Sequence, residues 1–147
     1  MSLANRHGLR RSEAVAMRWE DINFQAQEIF IRRAKGSLSG AAPLWKDELN
    51  ALRKYQRESG DRSSGYVWMG RNKQAISGKT IYYLITELGT AAGMIIHPHQ
   101  LRHSCGYHLI NQGHDLRLVQ QLLGHKQVNN TIRYTQLAAG ALRKLVD

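Results

Sequence analysis

A single cysteine, Cys105, is all the chain contains, so no disulfide can form within it, and a reducing compartment is compatible. Cys105 falls in an apolar helical pattern and reads as a small core residue. No run of 18 apolar residues occurs, so no membrane-spanning helix is expected. The segment from Met1 to Arg11 lacks the apolar centre of a secretory signal. Metal-type Cys/His spacing is missing as well. His99 and His103 stand four apart, but Gln100 takes the place of the glutamate in the zinc-protease pattern, so no metal is expected. Acidic side chains are scarce, 11 Asp and Glu against 21 Lys and Arg, which leaves a formal charge of +10. A surplus of this size favours a polyanion as partner, with nucleic acid the first candidate; the alternative is a cationic protein that is merely soluble.

The 147 residues fit one domain with one sizeable core. There are no internal repeats and no low-complexity linker. Ser12 reads as an N-cap with Glu13 in the first turn, ahead of a short helix to about Arg18. Glu28 to Arg33 alternates isoleucine with charge and reads as a strand. After the turn-like Lys35 to Gly40, Ala41 to Trp45 reads as a second strand. Asp47 to Glu58 carries Leu49, Leu52 and Tyr55 at helical spacing. Tyr66 to Met69 reads as a third strand. Helices follow from Ser77 to Ala92, from Pro98 to Gly113, and from Leu116 to Leu123 with Asp115 as cap and Gly124 as stop. Asn129 or Asn130 caps a last helix that carries Tyr134. The expected fold is mainly α, with a small three-stranded antiparallel β-sheet near the front.

The stretch from His97 to Leu137 concentrates most of the chain's seven histidines, together with Arg102, Arg117, Arg133 and two tyrosines. On a helix, His99 and Arg102 share a face. An imidazole and a guanidinium converging on one point suit a phosphate, the fork taking two oxygens and the ring handling a proton; the alternative is a solvated helix face. Gly124 lets the chain turn sharply and places His125 at the mouth of the turn. Tyr134 follows nine residues later. A lone tyrosine is usually a packing residue, but Ile132 and Leu137 already supply an apolar face. At the front, Arg10 precedes the expected cap, and Glu13 can hold it by a charge-assisted hydrogen bond; the alternative is an ordinary surface ion pair. Lys35 follows a strand and enters a Gly/Ser turn, from which an ammonium can reach a ligand or simply remain solvated.

Read together, "GLRRSE" (Gly8 to Glu13), "RRAKG" (Arg32 to Gly36), "HQLRH" (His99 to His103), "LLGH" (Leu122 to His125) and Tyr134 in "TIRYT" resemble, in order and spacing, the tyrosine recombinases, or phage-type integrases. Within that family, "ANRHGLR", "IRRAKGS" and "HPHQLRHSCGYHL" look most like the short fimbrial phase-variation invertases. The resemblance implies the recombinase catalytic fold and six active-site positions, Arg10, Lys35, His99, Arg102, His125 and Tyr134, supported by Glu13 and His103. It implies cleavage and rejoining of double-stranded DNA through a 3′-phosphotyrosyl link, with no metal, ATP or other cofactor. Tyr134 would attack, Arg10, Arg102 and His125 would stabilise the phosphorane, His99 would act as base or orient the site, and Lys35 would protonate the leaving 5′-oxygen. Arg18, Arg32, Arg33, Lys73, Lys79 and Lys126 are candidates for holding the duplex backbone.

Family members usually carry more chain before "GLR", so residues 1–147 are expected to form a single catalytic domain without the N-terminal core-binding domain and first catalytic helices. Leu137 to Val146 reads as a helix; in the family such a tail packs on a neighbouring subunit, and here it could dock on its own body or on another chain. The resemblance further implies tetramers on DNA and a cytoplasmic, nucleoid-associated protein. A recombinase-like DNA binder that never cuts, a type IB topoisomerase-like relaxing enzyme and a metal-dependent histidine nuclease are the competing readings.

Overall fold

Alternation in Glu28–Ile31 sends Ile29 and Ile31 inward and leaves Glu28 and Phe30 exposed, the period-two pattern of a half-buried strand. The computed structural model describes residues 2–34, 36–60 and 65–126. Its element order is helix α1 (Ser2–Arg6), helix α2 (Arg11–Ala16), a 3-10 turn (Trp19–Asp21), strands β1 (Ile22–Asn23), β2 (Glu28–Ile31) and β3 (Gly40–Pro43), then helices α3 (Lys46–Glu58), α4 (Gly78–Ala91), α5 (Pro98–Asn111) and α6 (Leu116–Leu123). The sheet is antiparallel in the order β1-β2-β3, with Ile22 opposite Ile29 and Phe30 opposite Ala41. Asn23 closes the β1–β2 turn by accepting the N–H groups of Gln25 (3.1 Å) and Ala26 (2.8 Å) through its side chain.

The three-stranded sheet is present, but its third strand is β1 and not Tyr66 to Met69. That segment lies along the extended chain after α2. Val67 donates to the Met17 carbonyl at 2.9 Å, Trp19 donates to that of Gly65 at 3.0 Å, and Arg18 and Tyr66 form an isolated bridge. The same contacts end α2 at Ala16, short of Arg18. The helix also starts earlier than Ser12. Glu13 accepts the Arg10 backbone N–H at 2.8 Å, so a glutamate in the first turn satisfies an otherwise orphaned donor, and Arg10 becomes the cap residue.

The later helices begin and end where their capping chemistry places them. Ser77 Oγ accepts the Thr80 N–H at 3.1 Å. Pro98 opens α5, and Gln100 accepts the His97 N–H at 2.8 Å. Asp115 accepts from Arg117 and Leu118, and Gly124 closes α6 in the left-handed region at φ 65°. A central core of Trp19, Ile22, Ile29, Ile31, Leu49, Leu52, Val67, Ile81, Ile85 and Leu101 joins sheet to helices. A smaller cluster, Cys105, Val119 and Leu123, ties α6 to α5. The Cys105 thiol donates to the Arg6 carbonyl at 3.4 Å, and burial pushes its pKa up to about 11, which makes it an unreactive packing group. Helix α1, unanticipated from the sequence, packs on α5. Behind it, the fully buried His7 meets Glu48 at 3.2 Å. Among the described residues no helix is long and apolar enough to cross a membrane.

Candidate active site

Two loops meet at the front of the molecule: His7 to Arg10, and the turn from Leu122 to His125. Gly8 favours their approach. It sits at φ 55°, where an L side chain is strained, and a Cβ there would run into Leu123 Cδ2, which would have to move. Arg102, on α5 and 4 % exposed, crosses the junction. Its guanidinium donates to the Gly8 carbonyl and, at 2.7 Å, to that of Leu123.

Glu13 organises the other side. Its buried carboxylate accepts the Arg10 backbone N–H (2.8 Å), the Arg10 guanidinium (2.8 Å), the Arg33 guanidinium (2.8 Å) and the Ala34 N–H (3.2 Å). Burial alone would raise its pKa. The Arg10 hydrogen bond, the Arg33 charge and the Ala34 N–H outweigh that and hold the carboxyl below its usual range. Arg10 also donates to Ser37 Oγ at 2.7 Å and remains one-third exposed at its side chain. A cation pinned on one side and open on the other is suited to an arriving anion.

Arg10, His99 and Arg102 line one cleft of about 380 Å³ with Leu9, Arg11, Ser12, Tyr82, His97 and Pro98. His99 is exposed, and its ring meets His103 edge-on at 4.3 Å. His125 is buried beside the Gly124 turn. Burial, then the charges of Arg102, Arg10 and Arg33 and the nearby His103, push its pKa down to about 4. It is therefore neutral at physiological pH, able to donate one hydrogen bond and accept another.

That depression has a measurable consequence. Above pH 6.5, His125 is neutral in both folded and unfolded chains. As pH falls from 6.5 toward about 4, the unfolded chain takes up a proton that the folded site refuses, and stability declines. Thermal melts between pH 7 and 4 should show a shallower decline for His125→Gln than for the unaltered chain; parallel curves would remove the burial argument.

Lys35 and Tyr134 lie outside the described residues, as do the expected last helix after Asn129 or Asn130 and Leu137 to Val146. The expected duplex-holding cations divide. Lys73, Lys79 and Lys126 are exposed. The Arg18 guanidinium lies over the Tyr66 ring, 4.4 Å from its centroid. Arg32 is exposed but paired with Asp21 at 2.7 Å and Glu20 at 3.1 Å. Arg33 departs from expectation altogether: its side chain is 2 % exposed and bound to Glu13, on the same face as Ile29 and Ile31 in the chain just past the end of β2. It faces the protein interior and not a duplex.

Arg11, Tyr82 and His97 line the cleft without having been singled out by motif. Tyr82 Oη and His97 Nδ1 are 3.1 Å apart and their rings stack nearly parallel. The sequence signal for Arg11 and His97 was only proximity, Arg11 beside Arg10 and His97 two residues before His99, and Tyr82 had none. A larger cavity of about 670 Å³ lies between α3 and α4, lined by Leu52, Tyr55, Ile81, Leu88 and other apolar groups, and it gathers no comparable set of cations. No group of three or more His, Cys, Asp or Glu that could hold a metal ion occurs among the described residues.

Residues 1–140 match the Phage integrase family. The type 1 fimbriae regulatory protein FimE of Escherichia coli is 37% identical over 140 residues, covering 90% of this chain and 70% of that protein. The crystal structure of XerA recombinase superposes with a TM-score of 0.82 at 30% identity, over 98% of this chain and 54% of that one. This chain thus spans about half the length of that recombinase. XerH site-specific recombinase in a pre-cleavage complex with its difH substrate gives a TM-score of 0.75 at 26% identity, over 95% of this chain and 42% of that one. The chain belongs to the phage integrase family, the tyrosine-type site-specific DNA recombinases.

Proposed function

We propose that this chain carries the catalytic site of a recombinase that cuts and rejoins double-stranded DNA through a 3′-phosphotyrosyl intermediate, with Tyr134 as nucleophile. The observation that carries this reading is the convergence of Arg10, His99 and Arg102 on one cleft, with neutral His125 behind them and Glu13 fixing Arg10. A phosphodiester already bears one negative charge, and its pentavalent transition state gathers more at the non-bridging oxygens. Arg10 and Arg102 are preset donors for those oxygens, and His125 can add a hydrogen bond without a cost in reorganisation. A free phenol has a pKa near 10, so Tyr134 requires the cationic surround or His99 as base. Lys35 supplies the proton that the leaving 5′-oxygen needs. The phosphate bond energy stays in the tyrosyl ester, so resealing by a 5′-hydroxyl needs no ATP or other cofactor. Glu13 and His103 act through Arg10 and the two catalytic histidines.

The same reading takes residues 1–147 as one catalytic domain. It places the protein on nucleoid DNA in the cytoplasm, with four copies assembling so that four strands can be exchanged. Arg18, Arg32, Lys73, Lys79 and Lys126 would steady the duplex, giving a binding constant that falls steeply with salt.

Nicked suicide duplexes tiled across the DNA flanking the gene test the reading. An SDS-resistant protein–DNA adduct should form in EDTA without ATP. Binding with no adduct on any duplex would indicate a non-cutting module, and plasmid relaxation without site preference would indicate a topoisomerase-like enzyme. Loss of cleavage in EDTA would indicate a metal-dependent nuclease.

A further inference from the structure

We propose that Arg33 is a positioning residue of the cleavage reaction: its buried guanidinium locks the loop that carries Arg10 and the turn that carries His125 into one arrangement. The proposal rests on the recombinase reading above.

The guanidinium is forked across the junction of the two loops. One amino nitrogen donates to the His7 carbonyl at 3.0 Å and to the Leu122 carbonyl. The other donates to the Gly8 carbonyl at 3.3 Å and to Glu13 at 2.8 Å. Arg102 approaches the same junction and takes Gly8 and Leu123. Two guanidinium groups therefore share the Gly8 oxygen and hold adjacent carbonyls at the end of α6. Through Glu13, Arg33 is also coupled to both the backbone and the side chain of Arg10.

The turn after β2 is drawn into the same knot. The Arg33 N–H donates to Ser39 Oγ at 2.9 Å, the Leu38 N–H to the Gly124 carbonyl at 3.2 Å, and Arg10 to Ser37 Oγ. Gly124 is shaped around the arginine stem: a Cβ there would lie 2.9 Å from Arg33 Cγ and 2.8 Å from the Leu38 carbonyl oxygen. The fork thus meets the two loops that carry Arg10 and His125, and Arg33 itself stands just past β2, ahead of the turn that bears Ser37.

A site that needed only volume here would be served by an apolar side chain, since burying an ion pair often yields no net stability. What an arginine adds is a rigid planar fork that can satisfy several acceptors at fixed angles. A lysine, with one nitrogen, cannot span the His7 and Leu122 carbonyls and Glu13 together. Misplacing a reacting group by about 1 Å can cost on the order of a hundredfold in rate, so the fork should matter more to cleavage than to affinity.

Arg33→Lys and Arg33→Met test this against the unaltered chain. The readouts are melting temperature, duplex affinity and single-turnover adduct formation at saturating protein across pH. Arg33→Lys keeps the charge beside Glu13. It should bind DNA within about threefold of the unaltered chain and cleave roughly tenfold or more slowly. Arg33→Met should lose on the order of a hundredfold, and the acid limb of its rate profile should move to higher pH, because one of the charges that depress His125 is gone. Arg33→Lys should leave that limb in place. If Arg33→Met does not fold, the lysine variant decides alone. Cleavage by Arg33→Lys at the full rate overturns the positioning role. So does a folded Arg33→Met whose slower cleavage only tracks its unfolded fraction with an unmoved acid limb. The unaltered chain separates the two levels: if it forms no adduct the recombinase reading fails, and if it does while Arg33→Lys matches it, only this proposal fails.

Discussion

Tyr134→Phe should eliminate the SDS-resistant adduct and leave duplex affinity within about threefold of the unaltered chain. The substitution removes the phenolic oxygen and keeps the ring, so on the proposed mechanism the nucleophile is lost while the bulk of the side chain is retained. The experiment also decides between two tyrosines. Tyr82 lines the cleft itself, with its hydroxyl 3.1 Å from His97 Nδ1, an arrangement in which an imidazole could take a phenolic proton. Tyr134 is assigned by its place nine residues after His125 in the family pattern. Tyr82→Phe should therefore retain the adduct. An adduct that survives Tyr134→Phe and disappears in Tyr82→Phe would move the nucleophile to α4 and leave the family pattern unmatched in its most important position.

Much of the fold was readable wherever a local signal coincides with the tertiary arrangement. Helix α6 is the clearest case: Asp115 as cap and Gly124 at φ 65° bracket Leu116–Leu123, as side-chain chemistry alone predicts. Misreadings occur where a long-range partner intervenes. Ser12 looks like a cap, but the Glu13 carboxylate, buried by the packing around it, takes the Arg10 N–H and moves the helix start. Tyr66 to Met69 has strand composition, yet it pairs with the chain around Met17 and Trp19 instead of with the sheet. The sheet edge it would need, β1, is only two residues long.

The site was legible as a set of residue types and spacings, and the geometry adds what spacing cannot carry. Arg33 shows the limit well. Its neighbours Ile29 and Ile31 point inward, and period-two alternation puts residue 33 on their face. Its positive charge argued for the surface instead. The deciding fact is the Glu13 carboxylate and the three carbonyls waiting inside, contributed by segments up to 89 residues away. Arg11, Tyr82 and His97 reach the cleft for a related reason: α4 is brought against α2 and α5 by core packing, which no local pattern encodes.

Arg102→Ala should lower single-turnover cleavage by at least about a hundredfold per folded, DNA-bound molecule and lower the melting temperature as well. The two effects have separate origins. On the proposed mechanism, the catalytic loss would come from removing a preset donor to the phosphorane. The stability loss comes chiefly from the Leu123 carbonyl, which loses its guanidinium donor inside the protein, while the Gly8 carbonyl keeps Arg33; an unsatisfied buried acceptor costs about 1–3 kcal/mol. Arg102→Lys separates them. An ammonium restores charge and one carbonyl contact, so stability should partly return. It cannot fork a phosphate while reaching those carbonyls, so the rate should stay low. Saturating protein isolates the chemical step from binding, and added guanidinium ion should recover part of the Arg102→Ala rate by entering the space that the side chain leaves. A variant that melts normally and cleaves slowly only because it binds weakly would reduce Arg102 to a phosphate-positioning group. One that melts early yet cleaves normally when folded would make it a scaffold for the Gly8 junction, and the catalytic charge would then have to come from Arg10 and Arg11 across the cleft.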